Sequence, residues 1–182
     1  MKRAIVSPAI LPASALTELK QWLAISTAHD DAPLSALLRA SLDMCEAYTG
    51  SMPLVTGCEE VLTAQSGWIC LSTMPVQSIS SVLSVEQDGS RNPFAADAYE
   101  LDLNADGGGR VRLLKHGNAT RIAVGFSAGL ASDWDALPEP LRHGIIRLAA
   151  HQHRERETDS SASRPPAAVA AMWQPWRRMR VA

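Results

Sequence analysis

Gly125-Phe126-Ser127-Ala128-Gly129 has the G-x-S-x-G form in which a strained strand-to-helix turn exposes a serine hydroxyl as a nucleophile. Asp133 or Asp135, then His143 or His151, follow in the Ser, Asp, His order that a general base and its orienting carboxylate would need. The surrounding chain does not supply the scaffold. Gly129, Pro138 and Pro140 interrupt the stretch where a helix must follow the serine, and the strands before it are short and antiparallel in pattern. The expectation is a strand end and turn, with a small serine hydrolase built on Ser127 as the alternative.

Two other constellations resemble metal sites in part. Asp102-x-Asn104-x-Asp106-Gly107 matches the first half of a calcium loop, but Arg110 and Arg112 occupy its ninth and eleventh positions and Leu113 stands where a bidentate glutamate is required. A polar hairpin loop fits better. His151 and Glu155 lie one helical turn apart, yet His153 points away and the neighbouring arginines repel a cation, so these read as surface residues. Asn118-Ala119-Thr120 is a glycosylation sequon that matters only on a secretory route. Cys45, Cys58 and Cys70 are an odd number without C-x-x-C spacing, which indicates neither a disulfide framework nor a zinc site. No cofactor is expected.

The chain's end carries a different chemistry. Trp173, Trp176, Arg177, Arg178 and Arg180 interleave indoles with guanidinium groups, and no acid follows Asp159. Such a segment could stack on and neutralise nucleic acid, as a nucleic-acid-binding module would. It also suits a protein partner, because Trp and Arg are the favoured anchors of interfaces. The Ser-, Ala- and Pro-rich stretch from Thr158 to Ala171, with Pro165-Pro166, reads as a poorly packed linker that lets the segment reach outward.

The elements that would carry these residues follow from periodicity. With 182 residues, 46% of them hydrophobic, and a formal net charge of −2, the chain has ordinary globular composition. That excludes overall disorder, a collagen-like repeat and a disulfide scaffold, and no apolar run approaches the roughly 20 residues that span a bilayer. Met1-Lys2-Arg3 before an apolar stretch and Ala13-Ser14-Ala15 imitates a secretory signal, but Pro8 and Pro12 break the stretch, so an extended N-terminal arm is expected. Leu16, Leu19 and Leu23 mark a short helix capped by Ser14, and Leu34 to Tyr48 mark a longer one ending at Gly50. Trp68 to Leu71, Ile79 to Val85, Tyr99 to Leu103, Arg110 to Leu114 and Thr120 to Phe126 are short strands separated by turn residues. Helical spacing returns after Pro138, with Leu141, Ile145, Leu148 and Ala149 on one face.

The expected fold is therefore α+β, a small helical bundle with an inserted antiparallel β-sheet and an extended C-terminal tail. Its parts are an N-terminal arm and helical hairpin (1–57), a β insertion (58–130), a closing helix (131–157), and a linker with a docking tail (158–182).

This order of parts resembles the head-to-tail connector, or adaptor, proteins of long-tailed phages and of phage-like gene transfer agents. The resemblance rests on Glu46-Ala47-Tyr48-Thr49-Gly50 at a helix end, on Leu137-Pro138-Glu139-Pro140-Leu141-Arg142 opening the third helix, and on Pro165-Pro166-Ala167-Ala168-Val169 leading to Trp173-Gln174-Pro175-Trp176-Arg177-Arg178. It implies a non-enzymatic virion component: a homo-oligomeric ring, expected as a dodecamer, in the particle's neck. Such a ring has the portal protein on one side and a further tail component, such as a stopper or tail terminator, on the other. DNA passes through its lumen without specific binding, no membrane is involved, and assembly takes place in the host cytoplasm. The matching C-terminal residues, Trp173, Trp176, Arg177, Arg178 and Arg180, are then the expected portal anchors.

On this reading Ser127 is not a nucleophile. Ser127→Ala should leave assembly function intact, and an ester-hydrolysis assay that shows activity in the natural chain and its loss in this variant would reverse the ranking.

Overall fold

The computed structural model describes residues 2–115, 119–155 and 164–178. In chain order it contains β1 (Lys2–Ser7), α1 (Ala13–Leu23), α2 (Asp31–Thr49), β2 (Thr56–Thr63), β3 (Trp68–Cys70), β4 (Val76–Val85), β5 (Arg91–Pro93), β6 (Tyr99–Leu103), β7 (Gly109–Leu113), β8 (Arg121–Ala128), α3 (Glu139–Arg154) and α4 (Ala167–Trp173). This is an α+β fold, as the sequence pattern implies. Two units make it up. Met1–Ala9 and Leu54–Leu130 form a sheet unit, and Ile10–Pro53 and Ala131–Ala182 form a helical unit.

The sheet unit holds a five-stranded antiparallel sheet in the order β1-β2-β8-β4-β5 and a three-stranded one in the order β3-β7-β6. β8 is central, and Ile122, Ala123, Val124 and Ala128 are fully buried, which explains its nearly continuous run of apolar residues. The expected arm is β1, an edge strand paired with β2 from Lys2↔Val61 to Ser7↔Gly57. β2 and β5 are absent from the sequence expectation.

β2 escapes pattern reading because an acid occupies its inward face. Its side chains alternate between buried and half-buried, and the inward set is Thr56, Cys58, Glu60 and Leu62. Glu60 is fully buried. One carboxylate oxygen accepts the Ser72 hydroxyl (2.7 Å), the Thr73 amide (2.9 Å) and the Thr73 hydroxyl (2.8 Å), and the other accepts the Ser72 amide (3.0 Å). Two main-chain and two hydroxyl donors replace the water that this carboxyl group would bind in solution. The turn between β3 and β4 is thereby tied to β2.

The helical unit packs α2, α3 and α1 along their apolar faces. α2 buries Leu34, Leu38, Ser41, Cys45 and Thr49 at spacings of three and four, and α3 buries Leu141, Ile145, Leu148 and Ala149 on the face expected for it. Burial, with a smaller contribution from Glu46, pushes the Cys45 thiol up to about 12. Gly50 closes α2 in the left-handed region, at φ +73°, where glycine has no steric penalty. α1 differs in detail from the expectation: its N-cap is Pro12, and Ser14 makes no capping bond. Glu18 instead accepts the indole N–H of fully buried Trp134 at 2.8 Å and lies 3.7 Å from Arg142, joining α1 to the start of α3. No helix among the described residues is long and apolar enough to cross a membrane.

The larger departure is at the C-terminus. Residues expected as linker and free tail form α4, which packs on α3 and α2 with Val169 and Trp173 buried. The part of the expected linker at 156–163, and Arg180, lie outside the described residues.

Glu60 sets a test of the sheet unit. Glu60→Ala leaves four donors without their acceptor and should lower stability by about 3 kcal/mol, with a smaller loss for Glu60→Gln. Urea unfolding with an unchanged slope reads it directly.

Candidate functional site

Of the residues singled out in the sequence, those at the C-terminus are brought together and those of the supposed hydrolase are not. Ser127 sits within β8, which continues through Ala128, and the next helix, α3, begins only at Glu139, so no strand-to-helix elbow forms. Its hydroxyl shares a 2.8 Å hydrogen bond with the Ser78 hydroxyl on the adjacent strand. Asp133 is used locally: the Ala136 amide (3.0 Å) and the Ser132 hydroxyl (2.9 Å) donate to its carboxyl, and those bonds hold it below the usual carboxylate range. Asp135 lies 3.7 Å from Arg142. The His143 ring meets Trp22 edge to face with centroids 5.1 Å apart, and His151 Nε2 lies 3.1 Å from Glu155. Each of these groups has a structural partner of its own.

The calcium-like segment is the β6–β7 hairpin. Asp102 pairs with Arg110 at 2.7 Å, Asp106 accepts the Gly108 amide, and Arg110 and Arg112 lie over the Trp68 ring at 4.5 and 5.1 Å. Asn118 of the sequon lies outside the described residues.

The C-terminal cluster is built on α4. Pro166 precedes its first turn, an alanine-rich run of high helix propensity follows, and Pro175 lies just past its end, where Gln174–Trp176 form a 3-10 turn. Val169 and Trp173, four residues apart, face inward. The indole of Trp173 has 0% exposure and occupies a notch in α3 made by Gly144. A Cβ at Gly144 would stand 2.2 Å from the indole nitrogen, a distance no side chain tolerates. The indole N–H reaches the Leu141 carbonyl at 3.4 Å. A glycine inside a helix costs about 1 kcal/mol relative to alanine, and the indole it admits buries roughly 150–250 Å² worth about 4–6 kcal/mol. The trade favours the notch.

The end of α2 completes the cradle. Tyr48 packs against Trp173 with ring centroids 6.0 Å apart, and its hydroxyl donates to Gln174 at 3.2 Å. The Arg177 guanidinium lies 5.5 Å above the Tyr48 ring, and the Arg178 amide donates to the Thr49 carbonyl at 2.8 Å. Two sequence pieces that lie far apart in the chain, Tyr48-Thr49-Gly50 and Trp173 to Arg178, therefore form one contact. Trp176 and Arg178 remain half-buried and Arg177 is exposed. Trp173 is thus an interior residue rather than an anchor on a detachable peptide, because Gly144 gives its indole a better-packed site than water would. What sequence reasoning missed is Gly144 and Tyr48 as the receptor, and the only signal for it was a glycine in mid-helix.

Two clefts among the described residues carry charged linings. One, of about 320 Å³, is lined by Glu18, Trp22, Glu139, Arg142, His143 and Ile146; the other, of about 700 Å³, includes Glu59, Arg91 and Arg121. Their charges are largely satisfied in place, as in Arg142–Glu139 at 2.8 Å and Arg91–Glu59 at 2.6 Å. Neither includes Ser127 in its lining.

No family model and no curated protein sequence matches the chain. Solved structures do, along its whole length. A chain from the neck of an empty gene transfer agent particle, computed with C6 symmetry, is 27% identical with a TM-score of 0.77, covering 100% of this chain and 98% of that one. A chain from the virion of a native gene transfer agent particle is 26% identical with a TM-score of 0.75, and one from the neck of a native particle computed with C12 symmetry is 26% identical with a TM-score of 0.73, both at the same coverage. The resemblance to connector proteins drawn from sequence pieces thus extends to the fold of the whole chain, both units included.

The notch can be tested from either side. Trp173→Ala should destabilise the protein by about 3–5 kcal/mol, as loss of a buried aromatic does. Gly144→Ala should also destabilise, despite its better helix propensity, and should restore exchange at the α4 amides by expelling the indole. A Gly144→Ala variant as stable as the natural chain would contradict the notch.

Proposed function

We propose that the chain is a structural head-to-tail connector of a gene transfer agent or phage-like particle. In this reading it forms a cyclic homo-oligomer, a dodecamer, in the particle's neck, between the portal and the next tail component. The observation that carries it is the full-length likeness, at 27% identity and a TM-score of 0.77, to a chain of a particle neck. The 6-fold and 12-fold symmetries in which the similar necks were computed support a ring. A structural role needs no catalytic group, which agrees with a Ser127 hydroxyl bonded to Ser78 rather than to a base. Assembly in the host cytoplasm follows from the role.

The portal-facing surface is assigned to the outer side of the docked C-terminus. Trp176, Arg177 and Arg178 stand there, with Arg180 beyond the described residues, and Trp173 holds the segment in place from beneath. An indole and several guanidinium groups, without an acid after Asp159, suit an acidic or carbonyl-rich partner surface. Each copy contributes a modest contact, and a ring repeats it, so the grip arises by multivalency. Free passage of DNA requires weak attachment. A lumen rich in Lys and Arg would hold phosphates through counterion release, whereas a chain of net charge −2 has no overall excess of cations for that.

The test is capture by the cognate portal. Substitution is the proper probe, because truncation before α4 would remove Trp173 from the core. Trp176→Ala combined with Arg177→Ala should lower capture by more than about tenfold while thermal unfolding stays near that of the natural chain. Undiminished capture by the variant removes the C-terminal anchor from the proposal. Failure of the natural chain to bind the portal removes the connector role itself.

A further inference from the structure

Arg177 does not stand alone on the outward side of the docked C-terminus. Its guanidinium carbon lies 5.5 Å from the centre of the Tyr48 ring, within the range at which an aromatic face attracts a cation. Tyr48 in turn is held at both ends: its ring packs against buried Trp173 at 6.0 Å, and its hydroxyl donates to Gln174 at 3.2 Å. The main chain is fixed as well. The Arg177 amide donates to the Gln174 carbonyl at 3.1 Å, and the next amide, that of Arg178, donates to the Thr49 carbonyl at 2.8 Å. Backbone and side chain of Arg177 are therefore both positioned by neighbours, although the residue is exposed.

This positioning leaves the donors of the guanidinium available. An aromatic ring attracts the charge but accepts none of the five N–H groups as a carboxylate would. Among the described residues no carboxylate pairs with Arg177, whereas Arg91, Arg110, Arg112 and Arg142 each have one. A planar fork of donors that is already placed and still unpaired matches the two oxygens of a carboxylate, which it holds by parallel bonds. An ammonium at the same place is a point charge without that match. A DNA duplex is a poorer occupant, because a phosphate backbone is gripped by many cations acting together and this feature sets out a single fork per copy.

We infer that Tyr48 is a positioning residue for Arg177, and that the group this pair receives is a carboxylate side chain on the portal. The inference rests on the connector reading above and deepens it, by naming the chemistry on the partner's side and the residue of α2 that prepares for it. Preparation matters because binding must otherwise immobilise a long side chain with many rotamers, which subtracts from affinity.

The test measures the affinity of the full chain for the cognate portal, with thermal unfolding alongside. Arg177→Lys keeps the charge and loses the fork, so it should weaken binding by about tenfold while unfolding stays unchanged. Tyr48→Leu should weaken binding by about fivefold in the natural background and by less than about twofold when Arg177 is already alanine, because Tyr48 acts through Arg177. Tyr48→Phe should recover most of what Tyr48→Leu loses. Raising salt from about 0.1 to about 0.5 M should weaken binding of the natural chain more than that of Arg177→Ala, as an ion pair requires and a carbonyl acceptor does not. Arg177→Lys binding as well as the natural chain, equal losses from Tyr48→Leu in both backgrounds, or the same salt dependence with and without Arg177 would each overturn the inference. So would retention of duplex DNA, offered in place of the portal, that Arg177→Ala abolishes. Should Tyr48→Leu fail to fold, the surface variant Arg177→Lys and the salt comparison decide. Portal binding that depends on Trp176 but on neither Tyr48 nor Arg177 rejects the carboxylate pair alone, whereas a natural chain that binds no portal removes the connector role and the inference with it.

Discussion

The Trp173 indole in the Gly144 notch decides which residues of this protein face outward. A helix normally keeps its neighbour about 8–10 Å away, axis to axis, by the bulk of its side chains. Gly144 removes that bulk at one point on α3, and a large flat ring enters until its nitrogen would collide with any Cβ placed there. Once the ring is seated, α4 has no freedom to roll. Val169 must face in and Arg177 must face out, while the Arg178 amide meets the last carbonyl of α2. The basic, aromatic segment from Trp173 to Arg178 becomes a shaped surface instead of a loose peptide, and in the proposed role it would meet a partner without the entropy loss that ordering a free tail would impose.

The sheet unit depends on a polar device instead. Glu60 is buried among strands, and its carboxylate is the acceptor around which the Ser72-Thr73 turn is organised. A buried carboxyl group that accepts four hydrogen bonds is sensitive to register, because a one-residue slip of β2 would turn it to the opposite face and strand its donors. The apolar notch and the polar clasp thus do equivalent work in the two units. Each fixes a segment whose own sequence is too short or too irregular to settle its position. The long helices and β8 need no such device.

Much was legible before any coordinates. The α2 and α3 faces, the Gly50 stop, the β6–β7 hairpin and β8 all appear where hydrophobic spacing and turn residues place them, because in those segments local preference and tertiary burial agree. β1 was legible only as an extended arm, because on an edge Ile5 and Val6 both stay exposed and leave no alternation to read, while β2 was lost because it puts Glu60 at an inward position where pattern reading requires an apolar residue. α4 was lost because seven residues span only about two turns, and Val169 and Trp173 alone make no recognisable stripe. The serine motif lies at the end of β8 and the calcium-like segment in the β6–β7 hairpin, the local structures that strand pattern and turn residues indicate.

By itself the sequence determined composition class, the alternation of helical and strand segments, the set of Trp and Arg residues at the end, and a resemblance strong enough to point to a particle neck. Only the tertiary structure decided that Trp173 faces inward while Arg177 faces outward, and that Ile5 and Leu101 are left uncovered. Periodicity reports on neighbours within a few residues of one another. The notch joins Gly144 to Trp173 and Tyr48, and an edge is an edge only by virtue of where the other strands lie, so both are properties of contacts between distant parts of the chain.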